Sequence, residues 1–248
     1  MDTQTPDLSV IAPAHNEAEN IDPLVTELVA ILDPTGIRFE ILVVDDGSTD
    51  ATADALRSLS AQHTALRPLQ LPAGGRGRGQ GQSAALHAAI RASRGRWIAM
   101  LDADLQNDPA DLPAMVQRLR EESLDLLQGD RSANRRDTAF RRFSSWIGRA
   151  TRRLLLGDTI RDTGCSLRVM RREVAESLPL QFRGVHRFIP LLARQSGYRV
   201  AECPVRHRPR VAGHSKYGAW NRALPGLIDC FAVAWMGRRR RNTAWRPL

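Results

Sequence analysis

The sequence predicts an α/β fold, a mostly parallel sheet with helices on both faces. Two observations point there. Apolar runs too short for anything but buried strands alternate with stretches whose apolar residues recur at helical spacing. A polar cluster follows each of three such runs, as expected where ligands sit outside the carboxyl ends of parallel strands. The size agrees, since 248 residues with 42% apolar and 25% charged side chains can bury a sizeable core.

The run Leu8–Ala12 is the first strand and stops at Pro13. Asp22 can cap the helix that follows, with Pro23 at its first position and Leu24, Leu28, Ile31 and Leu32 along one face. A strand at Phe39–Val44 leads into the loop Asp45–Asp50 and a helix through Leu59, and another strand lies near Leu66–Leu71. The glycine-rich stretch Ala73–Gly81 opens a helix over Ser83–Ala92, and Trp97–Leu101 is a further apolar strand, ending at Asp102. After Asp130 the texture changes to arginine-rich helices, a short apolar stretch at Cys165–Met170, a strand around Val200–Val205 and a basic loop. Residues 1–220 are thus expected to form one α/β domain, and 221–248 an apolar helix with a basic tail.

Charge divides the chain in another way. Residues 1–130 carry 10 Arg against 20 Asp and Glu, a net of −10, whereas 131–248 carry 26 basic against 7 acidic residues, a net of +19. Lys216 is the single lysine, so guanidinium groups dominate the positive charge. Three cysteines without CxxC spacing exclude a disulfide framework and a thiolate zinc cluster, and fit a reducing compartment such as the cytosol. The start MDTQTPDLSV has no cationic segment followed by an apolar one, so no secretory signal is expected. The longest apolar stretch, 223–237, is 15 residues and contains Asp229, against about 20 for a bilayer crossing. The +19 half also admits a nucleic-acid-binding reading, but aromatics are only 5% of residues and no stacking platform or recognised motif accompanies the charge.

Asp102 and Asp104 leave a strand tip as alternate carboxylates, which can share a hard divalent cation such as Mg2+ or Mn2+, with Gln106 adding a neutral oxygen. A chance Asp-x-Asp is the plain alternative, and its place at the end of a strand argues against that. Asp45 and Asp46 close another strand. A turn and a helix cap account for Gly47–Asp50, while two adjacent acids are useful mainly where a cation or a donor-rich ligand such as a nucleoside lies nearby.

Six strings, SVIAPAHNEAENI (9–21), EILVVDDGSTDAT (40–52), GQSAALHAAI (81–90), WIAMLDADLQNDP (97–109), DTGCSLRVMRR (162–172) and HRPRVAGHSKYG (207–218), stand in register. In this order the chain, from about Leu8 to Asn221, resembles the family 2 glycosyltransferases, in particular the polyprenyl-phosphate sugar synthases related to dolichol-phosphate mannosyltransferase. The resemblance implies a GT-A (Rossmann-like) fold, a nucleoside diphosphate sugar donor (GDP- or UDP-sugar), a divalent metal on the Asp-x-Asp, and inversion at the anomeric carbon. It implies that Pro13, Glu17, Asp45 and Asp46 line the nucleoside pocket, that Asp102 lies near the ribose and diphosphate, and that Asp104 and Gln106 hold the metal. It implies that Arg131, Arg141 with Ser145, and Arg210 with Ser215 and Lys216 hold the acceptor phosphate and the donor diphosphate. One departure stands out. The family usually has Asn before the Gly-Gln-Ser stretch, as Arg-Asn-x-Gly, where this chain reads Arg78-Gly79-Gln80-Gly81.

The charge of the second half agrees with the acceptor that the resemblance implies. A hydroxyl nucleophile needs a carboxylate or histidine base, whereas a phosphate monoester, with a second pKa of about 6, is already an anion near neutral pH and needs only positioning. From Arg131 to Arg172 the chain has 12 arginines against three acids, Asp137, Asp158 and Asp162. Guanidinium forks match phosphate oxygens. Arg149, Arg152, Arg153, Arg171 and Arg172 read mainly as a solvated helix face, and Asp162 can orient an arginine or cap local backbone. The segment 207–218 reads as a loop closing over the diphosphate with Gly213 and Gly218 as hinges, a rigid basic turn being the alternative. His186, His207 and His214 are not spaced as a metal site, and Cys165 reads as a small packing residue. The apolar residues from Leu224 to Met236 followed by Arg238–Arg241 fit a membrane surface or a small membrane-anchor protein, with a helix docked on the core as the alternative. The expected activity is therefore sugar transfer to a polyprenyl phosphate, by a protein peripheral on the cytosolic membrane face. A transferase acting on a glycan or soluble hydroxyl is the competing reading.

Overall fold

A computed structural model describes residues 5–74, 79–132, 139–209 and 220–239; side chains of 139–147 and 220–225 lie outside that description. Two compact units result, Met1–Arg136 with Ile160–His214, and Asp137–Thr159 with Ser215–Leu248.

The first unit holds a seven-stranded sheet. Its strands are β1 (Leu8–Ala14), β2 (Phe39–Asp45), β3 (Leu66–Gln70), β4 (Trp97–Met100), β5 (Leu126–Asp130), β6 (Arg168–Arg171) and β7 (Val200–Pro204), in the order β3-β2-β1-β4-β6-β5-β7. Neighbours run parallel except around β6, which is antiparallel to both β4 and β5. The central strands are apolar almost without interruption because both faces are covered. Alternate residues Val10, Ala12, Ile41, Val43 and Ala99 point into one core, shared with α1 (Ala18–Leu32), α2 (Thr52–Gln62) and α4 (Leu112–Glu121). The residues between them, Ile11, Leu42, Val44, Ile98 and Met100, are as deeply buried on the opposite face, where α3 (Gln82–Ala92) crosses β1 and β2. Two short helices, α6 (Arg172–Ser177) and α7 (Ile189–Gln195), complete this unit.

Most predicted elements form within a residue or two of the expected bounds. The first helix differs. It begins at Ala18, so Pro23 lies inside it and Asp22 accepts from the Thr26 hydroxyl one turn on. The reason is remote in sequence: the amides of Asn16, Glu17 and Ala18 donate to Ser48 Oγ (2.8 Å), Thr52 Oγ1 (2.9 Å) and Asp50 Oδ2 (3.3 Å). The loop after β2 therefore caps α1 across the sheet edge, satisfying amides that a local cap would otherwise serve.

The second unit pairs α5 (Ala139–Leu156) with α8 (Trp220–Arg239). Among the described residues no helix is long and apolar enough to cross a membrane. All three cysteines are free thiols and buried.

At the edge of the sheet opposite its strand tips lies a buried carboxylate. Glu40, 5% exposed, accepts from Ser9 Oγ (2.6 Å) and the Arg94 amide (2.5 Å) and pairs with Arg67, which also donates to the Ala92 carbonyl. Burial pushes its pKa up, but the hydroxyl, the amide and the guanidinium outweigh that and hold it below the usual glutamate range. A depressed folded pKa gives stability that is present above the unfolded value and lost as pH falls through the folded one. Glu40→Ala, which strands Arg67 beside two unserved donors, should lower unfolding free energy by about 3 kcal/mol at pH 7, and the difference from wild type should shrink below pH 4. Urea titrations across pH test this; a pH-independent difference would remove Glu40 from the acid response.

Candidate active site

The sheet order brings the predicted clusters to one edge. β1 lies between β2 and β4, with Ala14 level with Asp45 and Ile11 level with Met100. Asp45 and Asp102 therefore leave the same edge two strands apart, about 10 Å by strand spacing. β5 ends at Asp130 on this edge, and because β6 runs backwards its first residue, Arg168, arrives there as well. A small cleft opens at this point, lined among others by Pro13, Gln82, Asp102, Ser166, Arg168 and His186.

Asp102 and Asp104 share this rim. Asp102 Oδ1 accepts from Gln82 Nε2 at 2.8 Å, and Asp104 Oδ1 accepts from the Gln106 amide at 3.2 Å. Burial raises the pKa of Asp102, the charge of Asp104 raises it further, and the Ser166 hydroxyl with the charges of Arg168 and Arg131 pulls it partly back. Two carboxylates two residues apart on a half-dry rim thus work against each other, which a divalent cation relieves. Among the described residues no three His, Cys, Asp or Glu side chains gather as a metal cage. The donor set present, two carboxylates and the Gln106 amide oxygen, fits a Mg2+- or Mn2+-type ion, which takes one or two protein carboxylates and completes its shell with phosphate and water.

Arg131 is held rather than free. Its Nε and Nη2 donate to Asp162 Oδ2 and Oδ1 at 2.8 and 3.1 Å, and its amide to Asp162 Oδ2 at 3.2 Å. Burial works against the guanidinium charge, and the Asp162 carboxylate more than offsets it. Asp162 also accepts from the Gly164 amide, so it both orients an arginine and caps local backbone.

Arg168, which sequence reasoning did not single out, is 5% exposed and donates to the carbonyls of Ser166 (3.2 Å), His186 (3.4 Å) and Cys165 (2.6 Å). Its charge is felt at Asp102, although burial lowers its pKa. A lone arginine in the apolar run Cys165–Met170 is the signal that marks it. His186 gave no such signal. Burial, then Arg187 and Arg168, push its pKa down to about 3, so the ring is neutral near pH 7, with Nδ1 2.8 Å from Ser83 Oγ. Gln82 and Ser166 lie inside two of the quoted strings.

The acids after β2 are engaged by the protein itself. Asp45 accepts from the Ser48 amide (2.9 Å) and Gln70 Nε2 (3.0 Å), around Gly47 at φ +67°. Asp46 accepts from the amides of Gln80 (2.7 Å) and Gly81 (2.8 Å), and its carbonyl lies 2.8 Å from His15 Nδ1. The Asp46 carboxylate therefore fixes the end of the glycine-rich loop. A Cβ at position 79 would overlap both its carboxylate and its carbonyl. Glu17 accepts from Asn20 Nδ2 at 2.6 Å. Cys165 is wholly buried, its thiol pushed up to about 11 by burial, as expected of a packing residue.

Of the remaining predicted residues, Arg141 and Ser145 lie on α5, their side chains outside the described set. Arg210, Ser215 and Lys216, and with them His214 and the hinge residues Gly213 and Gly218, fall outside the described residues.

Sheet, edge and cleft define the class: an α/β protein with a charged cleft outside the carboxyl ends of its strands. The chain belongs to glycosyl transferase family 2, whose family model matches residues 9–178, and it is a glycosyltransferase. It is 38% identical over 239 residues to a dodecaprenyl-phosphate galacturonate synthase of Rhizobium johnstonii, covering 95% of this chain and 68% of that protein. An undecaprenyl-phosphate 4-deoxy-4-formamido-L-arabinose transferase of Edwardsiella ictaluri is 34% identical over 228 residues, covering 91% and 68%. Among solved structures, the mannosyltransferase PcManGT of Pyrobaculum calidifontis, in complex with GDP-Man and Mn2+, superposes with TM-score 0.68 at 23% identity, covering 96% of this chain and 66% of that one. Glucosyl-3-phosphoglycerate synthase of Mycobacterium tuberculosis, with Mn2+, UDP and glucosyl-3-phosphoglycerate, gives 0.66 at 22% identity, covering 92% and 80%. These two likenesses establish the GT-A-type fold.

The Asp46 clamp makes a measurable demand. Gly79→Ala must displace the carboxylate from two amides, costing about 2 kcal/mol of stability. Denaturant unfolding and amide exchange at Gly81 read this out; if neither changes, the loop tolerates a side chain and the clamp is dispensable.

Proposed function

We propose that the protein transfers a sugar from a nucleoside diphosphate sugar to a polyprenyl phosphate at a membrane surface. The observation that carries this reading is the meeting at one rim of Asp102 and Asp104 with Arg131, which Asp162 holds by two parallel hydrogen bonds. Carboxylates suit the hydroxyl groups of a nucleotide sugar and the cation that accompanies its diphosphate. An oriented guanidinium suits a phosphate monoester. The names of the relatives, a dodecaprenyl-phosphate galacturonate synthase and an undecaprenyl-phosphate 4-deoxy-4-formamido-L-arabinose transferase, agree with that acceptor.

In this reading Asp102, Asp104 and Gln106 hold Mg2+ or Mn2+, whose charge stabilises the leaving diphosphate. Pro13, Glu17, Asp45 and Asp46 form the nucleoside side, Asp46 acting through the loop it clamps. Arg131, with Arg141, Ser145, Arg210, Ser215 and Lys216, holds the phosphates of acceptor and donor. The acceptor oxygen, anionic near neutral pH, attacks the anomeric carbon from the face opposite the diphosphate and inverts the configuration, and no proton has to be removed. Residues 1–220 carry the reaction and 221–248 the membrane contact. Its place is the cytosolic face of the membrane, as a peripheral protein or with a small anchoring partner, and nucleic acid is not a ligand.

The second unit supports the membrane part. On α8, Leu227, Ile228, Phe231 and Trp235 are 41% to 61% exposed and recur at i, i+1, i+4 and i+8, and Arg239 lies over the Trp235 ring at 5.5 Å. An apolar stripe ending in arginines fits an interface with anionic headgroups.

Two experiments test the proposal. Labelled GDP- and UDP-sugars with Mn2+ and undecaprenyl phosphate should give organic-phase product, and Asp104→Ala should lower the rate at least a hundredfold with the melting temperature kept. Product confined to soluble sugar acceptors would sink the lipid reading, and full activity in excess chelator the metal. Co-sedimentation with vesicles containing phosphatidylglycerol should fall about tenfold in the Phe231→Ser, Trp235→Ser double variant; equal binding would dissociate α8 from the membrane.

A further inference from the structure

The turn that carries the Asp-x-Asp is held in an unfavourable backbone shape. Leu105, between Asp104 and Gln106, has φ +60°, a left-handed conformation that a branched side chain avoids, and it is 8% exposed. Such a residue persists only where its surroundings over-determine it.

Those surroundings come from the segment after β7. The Gln106 carbonyl accepts from the Arg208 amide at 2.9 Å, and Asn107 forms an antiparallel bridge with His207. Asn107, 2% exposed, also accepts from Ser166 Oγ at 2.6 Å. The Arg208 side chain then fastens the strip on two sides. Its Nη2 donates to Asp108 Oδ1 at 2.7 Å and to Glu27 Oε1 at 2.7 Å, and its Nη1 to Glu27 Oε2 at 2.9 Å. A single guanidinium thus joins the middle of α1 to the end of the acidic turn. Arg206 reinforces the same place through Asp108 and Asp111.

We propose that Arg208 is a positioning residue: with Glu27 and Asp108 it locks the Asp104–Asp108 turn in its left-handed form and so sets Asp104 and Gln106 relative to Asp102. The consequence for cation affinity rests on the metal reading above, while the consequence for the turn does not. Neither Glu27 nor Arg208 belongs to the predicted metal set; removing their charges acts on a cation with opposite signs, so a weakening shared by both glutamine variants reports the turn and not the charge.

The test uses the full chain with Arg208→Gln, Glu27→Gln and Arg208→Lys. Amide exchange of a peptide spanning 102–108 should quicken at least fivefold in both glutamine variants, with β2 and α2 unchanged. Mn2+ affinity, followed by the paramagnetic resonance of free ion in the presence of nucleoside diphosphate, should weaken about fivefold. Lysine reaches one carboxylate but cannot span two, so Arg208→Lys should fall between wild type and Arg208→Gln. Unchanged exchange at 102–108 overturns the lock. Faster exchange with unchanged Mn2+ affinity overturns the positioning role, as does an Arg208→Lys protein indistinguishable from wild type. Should the wild type itself bind no Mn2+, the metal reading fails and the exchange arm still decides the lock.

Discussion

Negative charge concentrated on one edge of a sheet sets the terms for everything around it. Parallel strands that end together deliver Asp45, Asp46, Asp102 and Asp104 to one side, three of them on or beside neighbouring apolar strands from which water is excluded. Buried polar groups so placed need amides, guanidinium groups or cations to meet them. The chain answers in two ways. Asp45 and Asp46 are met by backbone amides and Gln70, which tie them to the loops around them. After β4, Asp104 accepts from the Gln106 amide, and Asp102 lines the cleft, where it meets Gln82 and the charges of Arg168 and Arg131. That difference separates acids tied into the loops around them from the acid that lines the cleft.

One reversed strand makes the second answer possible. Had β6 run parallel to its neighbours, its first residue would lie at the opposite end of the strands, away from the cleft. Running antiparallel, it carries Ser166 and Arg168 to the strand tips of β4 and β5. Asp162, a few residues earlier, reaches Arg131 after β5 by the same geometry. The basic half of the chain is thereby threaded into the acidic half, and the opposite net charges of the two halves become local pairs.

Much of this was legible in the sequence, for identifiable reasons. Buried parallel strands leave short apolar runs such as Phe39–Val44 and Trp97–Leu101, and the acids at the ends of these two, Asp45 and Asp102, mark the edge where the strands end. Periodicity could not show pairing between distant loops. Asp22 and Pro23 look locally like a helix start, yet Ser48, Asp50 and Thr52 supply the caps four residues earlier. Arg208 reads as one cation in a basic loop, and only its contacts with Glu27 and Asp108 show that it is spoken for. His186 carries no spacing signal because its place depends on Ser83, more than 100 residues away. Asp162 is an intermediate case, visible as a charged residue near the arginines but not as the partner of Arg131.

The packing of position 79 against Asp46 binds the two residues together. On this backbone an asparagine at 79 would put atoms where the protein keeps a carboxylate and a carbonyl, so either the loop or Asp46 would have to move. The absence of a side chain at one position is thus part of how the other is held, and a loop grafted here with any side chain at 79 would have nowhere to sit while Asp46 keeps its present place.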